Sequence, residues 1–308
     1  MITTPNVKIN LGLNILRKRV DGFHDLETLF VPYFGIHDTL EIITGDDYSR
    51  TSAQLFSKYG ENTLPESQAS QKPEGVFGVE TEENAAPRLV QGISEDGKLM
   101  ITIARAEGVD WDPLKDLCAK AYRLFADEFD LPPVKIFLEK TSPVGAGLGG
   151  GSADAAFTLK MLNEMFVLGL SEQQLALYAS RLGSDCPLFV YNRPMIGEGR
   201  GEILTDFDLD ACLNPEQYEI QVITPAGVAV STAEAYGGIV PQQPEIPLRN
   251  ALVLPVDKWD GNLVNDFEVT VFEKHPELAA IKKSLYDCGA VYASMSGSGS
   301  ALFAIYRK

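Results

Sequence analysis

The segment that most constrains this chain is PVGAGLGGGSADAA, residues 143–156, where five of the seven residues from Gly145 to Gly151 are glycine. It follows VKIFLEK (134–140), which reads as a strand. It leads into a run whose Ala155, Leu159, Leu162 and Phe166 recur on one helical face. A strand, a glycine loop and a helix in that order leave few uses. Glycine takes left-handed backbone angles and lets its amide approach a ligand closely, while a helix start adds N–H groups without intrahelical partners and a partial positive charge. The junction suits an anion, with each amide bond to a charged oxygen worth about 1.5–3 kcal/mol.

Three readings compete for it. A plain glycine turn needs fewer glycines than stand here. A Walker A loop needs the lysine of GxxxxGK[ST], and the loop has none. Gly145, Gly147 and Gly150 do match G-x-G-x-x-G, the fingerprint of dinucleotide-binding oxidoreductases. That fold requires a second strand ending in an acidic residue after the helix, whereas the next segment here is the helical SEQQLALYASRL. A nucleotide-binding regulatory protein without turnover stays open as a further alternative.

The 308 residues exceed what one hydrophobic core organises, so two domains are expected, with a composition shift near DFDLDACLNPEQ placing the boundary at about residue 205. A net charge of −17 argues against general nucleic-acid binding, which needs a basic footprint, and requires any phosphate to be held by local features. No run of eighteen apolar residues and no secretory leader is visible, so no membrane partner is expected and the chain reads as cytoplasmic. Cys118, Cys186, Cys212 and Cys288 form no C-x-x-C pair and sit in apolar segments, which predicts reduced, buried thiols. His24, His37 and His275 lack metal-ligand spacing, so no protein-ligated transition metal is expected.

Residues 7–16, VKINLGLNIL, alternate as a strand with Val7, Ile9, Leu11 and Leu13 on one face and Lys8, Asn10, Gly12 and Asn14 on a wet one. A polar turn around Asp21-Gly22 and two further strands, the second at 38–44, follow. From about residue 45 to 98 polar residues replace the apolar periodicity, which reads as an inserted excursion carrying one hairpin. Beyond it come a strand at 99–108, a helix over 113–130, the glycine segment and a helix ending near Gly183. Two more strands, a helix at about 267–288 and a final strand pair complete the chain.

Four segments in the right order now carry a resemblance. PVGAGLGGGSADAA resembles the phosphate-binding motif of the galactokinase, homoserine kinase, mevalonate kinase and phosphomevalonate kinase superfamily, and MSGSGSALF resembles its third motif. VKINLGLNILRKRVDGFHDLETLF and GSDCPLF are similar to one branch of it, whose acceptor is the 2-hydroxyl of a CDP-linked methylerythritol. The resemblance implies a two-domain α+β fold. Residues 1–205 would form an ATP-binding and catalytic domain like the second domain of ribosomal protein S5, and 206–308 a ferredoxin-like, substrate-binding domain with the site in the cleft between them.

It also implies site residues. Lys8 and Asp185 would be catalytic, and Asn10 would face the reacting hydroxyl. Pro143, Gly145, Gly147, Leu148, Gly149, Gly150, Gly151 and Ser152 would hold the phosphates of ATP, with Mg²⁺. Phe23 and Tyr236 would offer stacking faces to a pyrimidine whose edge meets His24. The branch often has tyrosine where Phe23 stands, so a hydroxyl is lost and the ring face kept. Asp185 also sits where a helix cap would, before Pro187. Expected partners are ATP and the CDP-linked sugar alcohol, in a monomer or homodimer.

Overall fold

Residues 1–45, 49–60 and 86–308 are described by a computed structural model. The chain forms two compact units, each discontinuous in sequence, and neither ends near residue 205. Three largely antiparallel sheets with helices give the expected α+β class.

The first unit comprises residues 1–5, 37–141 and 157–169. Its five-stranded sheet runs Ile2–Thr3, Thr39–Thr44, Val134–Lys140, Leu99–Arg105, Leu89–Ile93. Leu99–Arg105 and Val134–Lys140 pair in parallel, which demands a crossover, and the helix Leu117–Ala126 supplies it. That helix starts later than predicted, after a 3₁₀ turn at Pro113–Lys115, because the Asp116 carboxylate accepts from the Cys118 amide at 2.8 Å and caps it there. In the expected excursion, Leu89–Ile93 forms a hairpin with Leu99–Arg105. The helix Arg50–Tyr59 was not foreseen; Ser49 caps it, and it buries Leu55 and Tyr59 against Leu89, Ala104 and Phe137. Residues 46–48 and 61–85 of the excursion lie outside the described residues.

The second unit comprises residues 6–36, 142–156 and 170–308. One sheet orders Asn6–Lys18, His24–His37, Met195–Gly199 and Ile203–Asp206, and another Tyr218–Ile223, Leu302–Arg307 and Tyr292–Met295. Ile9, Leu11 and Leu29 from the first share a core with Trp259, Tyr292 and Phe303. The predicted wet face of the first strand is corrected: Lys8, Asn10 and Asn14 are 3%, 2% and 4% exposed. They are covered because other polar groups of the unit pack on them. The helix predicted at 267–288 is two, Phe267–Lys274 and Pro276–Asp287, since Pro276 has no N–H and cannot continue a helix but starts one well. Short helices Thr232–Gly237 and Leu248–Leu252 were not predicted. Cys118 and Cys186 are buried, but Cys212 is half-buried and Cys288 exposed, because Cys288 follows the last residue of its helix and leaves the core.

Candidate active site

The glycine loop packs on a second loop, and the packing explains its composition. Gly147 has φ +77°, and a Cβ there would stand 2.1 Å from the Ser296 carbonyl oxygen and 3.0 Å from the Gly299 nitrogen. Only glycine allows that approach. Ser296–Ser300 is braced in turn by the buried Asn265, whose amide donates to the carbonyls of Met295 and Gly297 at 2.7 and 2.9 Å. Gly145, Gly147, Gly149 and Ser152 line a cavity of about 440 Å³ that Gly297 and Ser298 close from the other side. Gly150 and Gly151 begin the helix Gly150–Met165. Leu148 turns its side chain into the core and its carbonyl to the Lys8 amide, 3.0 Å away. Pro143 is half-buried in the approach to the loop.

Lys8 reaches the same cavity from the first strand. Its ammonium donates to Asn10 Oδ1 and to the Gly147 carbonyl, both at 2.7 Å, and lies 3.7 Å from Asp185 Oδ2. Burial pulls the Lys8 pKa below the usual lysine range, and the Asp185 carboxylate opposes that pull. Asn10 donates to Thr28 Oγ1 at 3.0 Å, and Thr28 donates to the Gly12 carbonyl, so the lysine's acceptor is held in place. Asp185 occupies the N-cap position of the helix Cys186–Tyr191, yet its side chain makes no capping bond and faces the cavity instead. The adjacent Cys186 is buried, which pushes its thiol up to about 12 and leaves it protonated.

A second cavity of about 660 Å³ adjoins the first, lined by Phe23, His24, Arg181, Arg200 and Tyr236 among others. Here the rings are arranged differently from the expected pair of faces with a histidine at the edge. His24 stacks on Tyr236, centroids 4.9 Å apart and planes 23° off parallel, and Tyr236 meets Phe267 edge-on at 4.8 Å. Phe23 is 54% exposed and carries the Arg200 guanidinium 4.7 Å from its ring centroid. Partial burial and the charge of Lys18 lower the His24 pKa, which favours the neutral ring.

The structure thus brings Lys8, Asn10, Asp185 and the glycine loop to one cavity and Phe23, His24 and Tyr236 to the next. Both lie within the second unit, and their walls come from both sides of residue 205. Sequence reasoning missed Thr28, Asn265 and Arg200. Only Arg200 carried a local signal, an arginine between Gly199 and Gly201 in GEGRGE.

Among the described residues, no group of three His, Cys, Asp or Glu side chains could hold a metal ion, and no helix is long and apolar enough to cross a membrane. Ser152 and Asp185 offer oxygen donors on the cavity wall. That suits Mg²⁺, which takes few protein ligands and keeps phosphate oxygens and water.

Comparison with known proteins agrees with this geometry. Sequence models of the GHMP kinases match in two places, the N-terminal domain over residues 116–193 and the C-terminal over 257–308. A 4-diphosphocytidyl-2-C-methyl-D-erythritol kinase of Bacteroides thetaiotaomicron is 42% identical over 306 residues, covering 99% of this chain and 92% of that one. One of Azobacteroides pseudotrichonymphae is 37% identical, covering 100% and 94%. The crystal structure of a 4-(cytidine 5'-diphospho)-2C-methyl-D-erythritol kinase superposes with a TM-score of 0.67 at 26% identity, covering 99% of this chain and 89% of that one. A homoserine kinase from Cytophaga hutchinsonii shares the fold, with a TM-score of 0.59 at 14% identity, covering 98% and 85%. The chain belongs to the GHMP kinases, in their 4-diphosphocytidyl-2-C-methyl-D-erythritol kinase branch.

Proposed function

We propose that this kinase transfers the γ-phosphoryl group of ATP to the 2-hydroxyl of 4-diphosphocytidyl-2-C-methyl-D-erythritol, with Asp185 and Lys8 carrying the chemistry. One observation supports this most: the Lys8 ammonium touches the phosphate-loop carbonyl of Gly147 and stands 3.7 Å from the Asp185 carboxylate. The acceptor oxygen attacks the γ-phosphorus, the bond to the β–γ bridging oxygen breaks, ADP leaves, and the hydroxyl proton passes to Asp185. Phosphoryl transfer is mainly positioning and charge stabilisation. Asn10, Thr28 and Gly147 hold Lys8 rigidly, so its charge is placed before the reaction begins.

The glycine loop and the helix start receive the ATP phosphates. Ser152 and Asp185 would hold Mg²⁺, which would neutralise part of the phosphate charge. The cytosine lies in the cavity of Phe23, His24 and Tyr236, stacked on an aromatic face. Family matches lie on either side of residue 205, over 116–193 and 257–308, and the walls of both cavities draw on both parts. The protein works in the cytoplasm, where both nucleotide substrates occur, as a monomer or homodimer.

The test is coupled ADP release against CDP-methylerythritol, mevalonate, phosphomevalonate, homoserine and galactose. Turnover of the first, with ATP hydrolysis near background in its absence, is expected. Turnover of another acceptor alone would overturn the substrate, and ATP binding without turnover of any would leave a non-catalytic binder.

A further inference from the structure

We propose that Arg200 reads the diphosphate of the CDP-linked substrate, holding it on the wall that the two cavities share. The inference rests on the phosphotransferase reading above. A substrate whose base lies beside Phe23 and whose hydroxyl reaches Asp185 must pass its diphosphate across that wall. Gly183, Ser184, Arg200, Thr232 and Tyr236 line both cavities, and among these described residues Arg200 alone is charged.

Its position spans the required distance. At one end the guanidinium lies 4.7 Å from the Phe23 ring centroid, a cation–π contact at the base end. At the other, a Cβ on the next residue, Gly201, would stand 3.9 Å from Asp185 Oδ1, so the arginine's backbone borders the reacting end. The turn that presents it is tightly bonded: the Arg200 amide donates to Glu202 Oε2 at 2.6 Å and the Gly201 amide to the Glu198 carbonyl at 3.0 Å. Gly199 and Gly201 flank it at φ +69° and +107°.

The charge argument points the same way. At a net charge of −17 the chain repels a diphosphate at long range, so a local cation must offset that repulsion. The planar guanidinium fork matches phosphate oxygens in pairs. Its present ion pair is loose, since Glu202 Oε1 stands 3.6 Å away and both side chains are partly exposed. The other arginine of the base cavity, Arg181, lies over the Tyr178 ring and borders only that cavity. Lys8 is engaged by Asn10 and Gly147.

Calorimetric titration of the full chain with CDP and with cytidine tests this, alongside KM values for CDP-methylerythritol and ATP. The wild type should bind CDP more tightly than cytidine. Arg200→Ala and Arg200→Gln should each shrink that ratio at least about tenfold and raise the KM of the CDP-substrate similarly, with the KM of ATP within twofold. Arg200→Lys should keep part of the ratio, because it keeps the charge and loses the fork. If Arg200 only steadies Phe23, cytidine and CDP affinities fall together, the ratio holds, and the assignment is wrong. A rise confined to the KM of ATP would move Arg200 to the nucleotide phosphates and overturn it equally. A wild type that turns over CDP-methylerythritol while the variants keep its CDP-to-cytidine ratio refutes Arg200 alone, whereas a wild type with no such turnover refutes the parent reading as well.

Discussion

Replacing Asp185 by Asn removes one charge and almost nothing else. The side chain makes no capping bond, so the helix Cys186–Tyr191 keeps its start, and the amide is of nearly the same size. What is lost is an interaction between unit charges 3.7 Å apart, about 4 kcal/mol by Coulomb's law at an effective dielectric near 20, and less in practice because Asp185 is 31% exposed. The base for the hydroxyl proton is lost with it, and general bases contribute about 10²–10⁴ in rate. We expect kcat to fall by that factor with both KM values within a few-fold. The pH profile should change as well. Lys8 already titrates below the usual lysine range because it is buried, and Asp185 is what opposes the fall, so in Asp185→Asn the basic limb of kcat moves to lower pH. Stability runs the other way. Lys8 holds its proton less tightly folded than unfolded, so between its depressed folded pKa and the ordinary lysine range the unfolded state carries more protons and stability rises with pH. Single-turnover measurements at saturating substrates, with circular dichroism to check folding, give both readouts. A folded variant that keeps more than about a third of wild-type kcat in a chemistry-limited regime refutes Asp185 as the base.

Gly147→Ala places a methyl 2.1 Å from the Ser296 oxygen at φ +77°. The left-handed angle alone costs about 1–2 kcal/mol, and the displaced loops should weaken ATP binding at least tenfold by equilibrium titration while far-ultraviolet dichroism stays near wild type. Asn265→Ala removes the two bonds bracing Met295 and Gly297, so the KM of ATP should rise several-fold with a fall in melting temperature. Phe23→Ala should raise the KM of the CDP-substrate about tenfold, in line with about 1–3 kcal/mol for a stacked base, and leave that of ATP unchanged. Lys8→Ala combined with Asp185→Asn should lose far less kcat than the product of the singles, because the two act as one unit.

Much of the site was legible in one dimension because its chemistry is carried by short segments. The loop 143–152 announces itself through glycine density, and Lys8 and Asn10 alternate against Ile9 and Leu11. What those polar residues face was not legible. An alternating strand with lysines and asparagines reads as solvated, and the structure buries them because Asn10, Thr28 and Gly147 satisfy their polar atoms. Phe23, His24 and Tyr236 do line one cavity, but their stacking was not legible, since the ring partners His24 and Tyr236 are chosen by tertiary packing. Arg200 shows the same limit: GRG is visible, its position over Phe23 is not.

The sequence by itself determined which local structures were possible: where glycine permits a left-handed loop before a helix, and which strand faces are apolar. These are properties of a residue and its nearest neighbours, set by backbone sterics and hydrophobic period. Only the tertiary structure decided which groups meet. It closed the loop at Gly147 onto Ser296, set the Lys8 ammonium between loop and carboxylate, and aimed the Asp185 side chain at the cavity rather than at its own helix. Electrostatic and hydrogen-bond energies depend on distances of a few ångströms between residues more than a hundred positions apart, and those distances do not exist until the chain has folded.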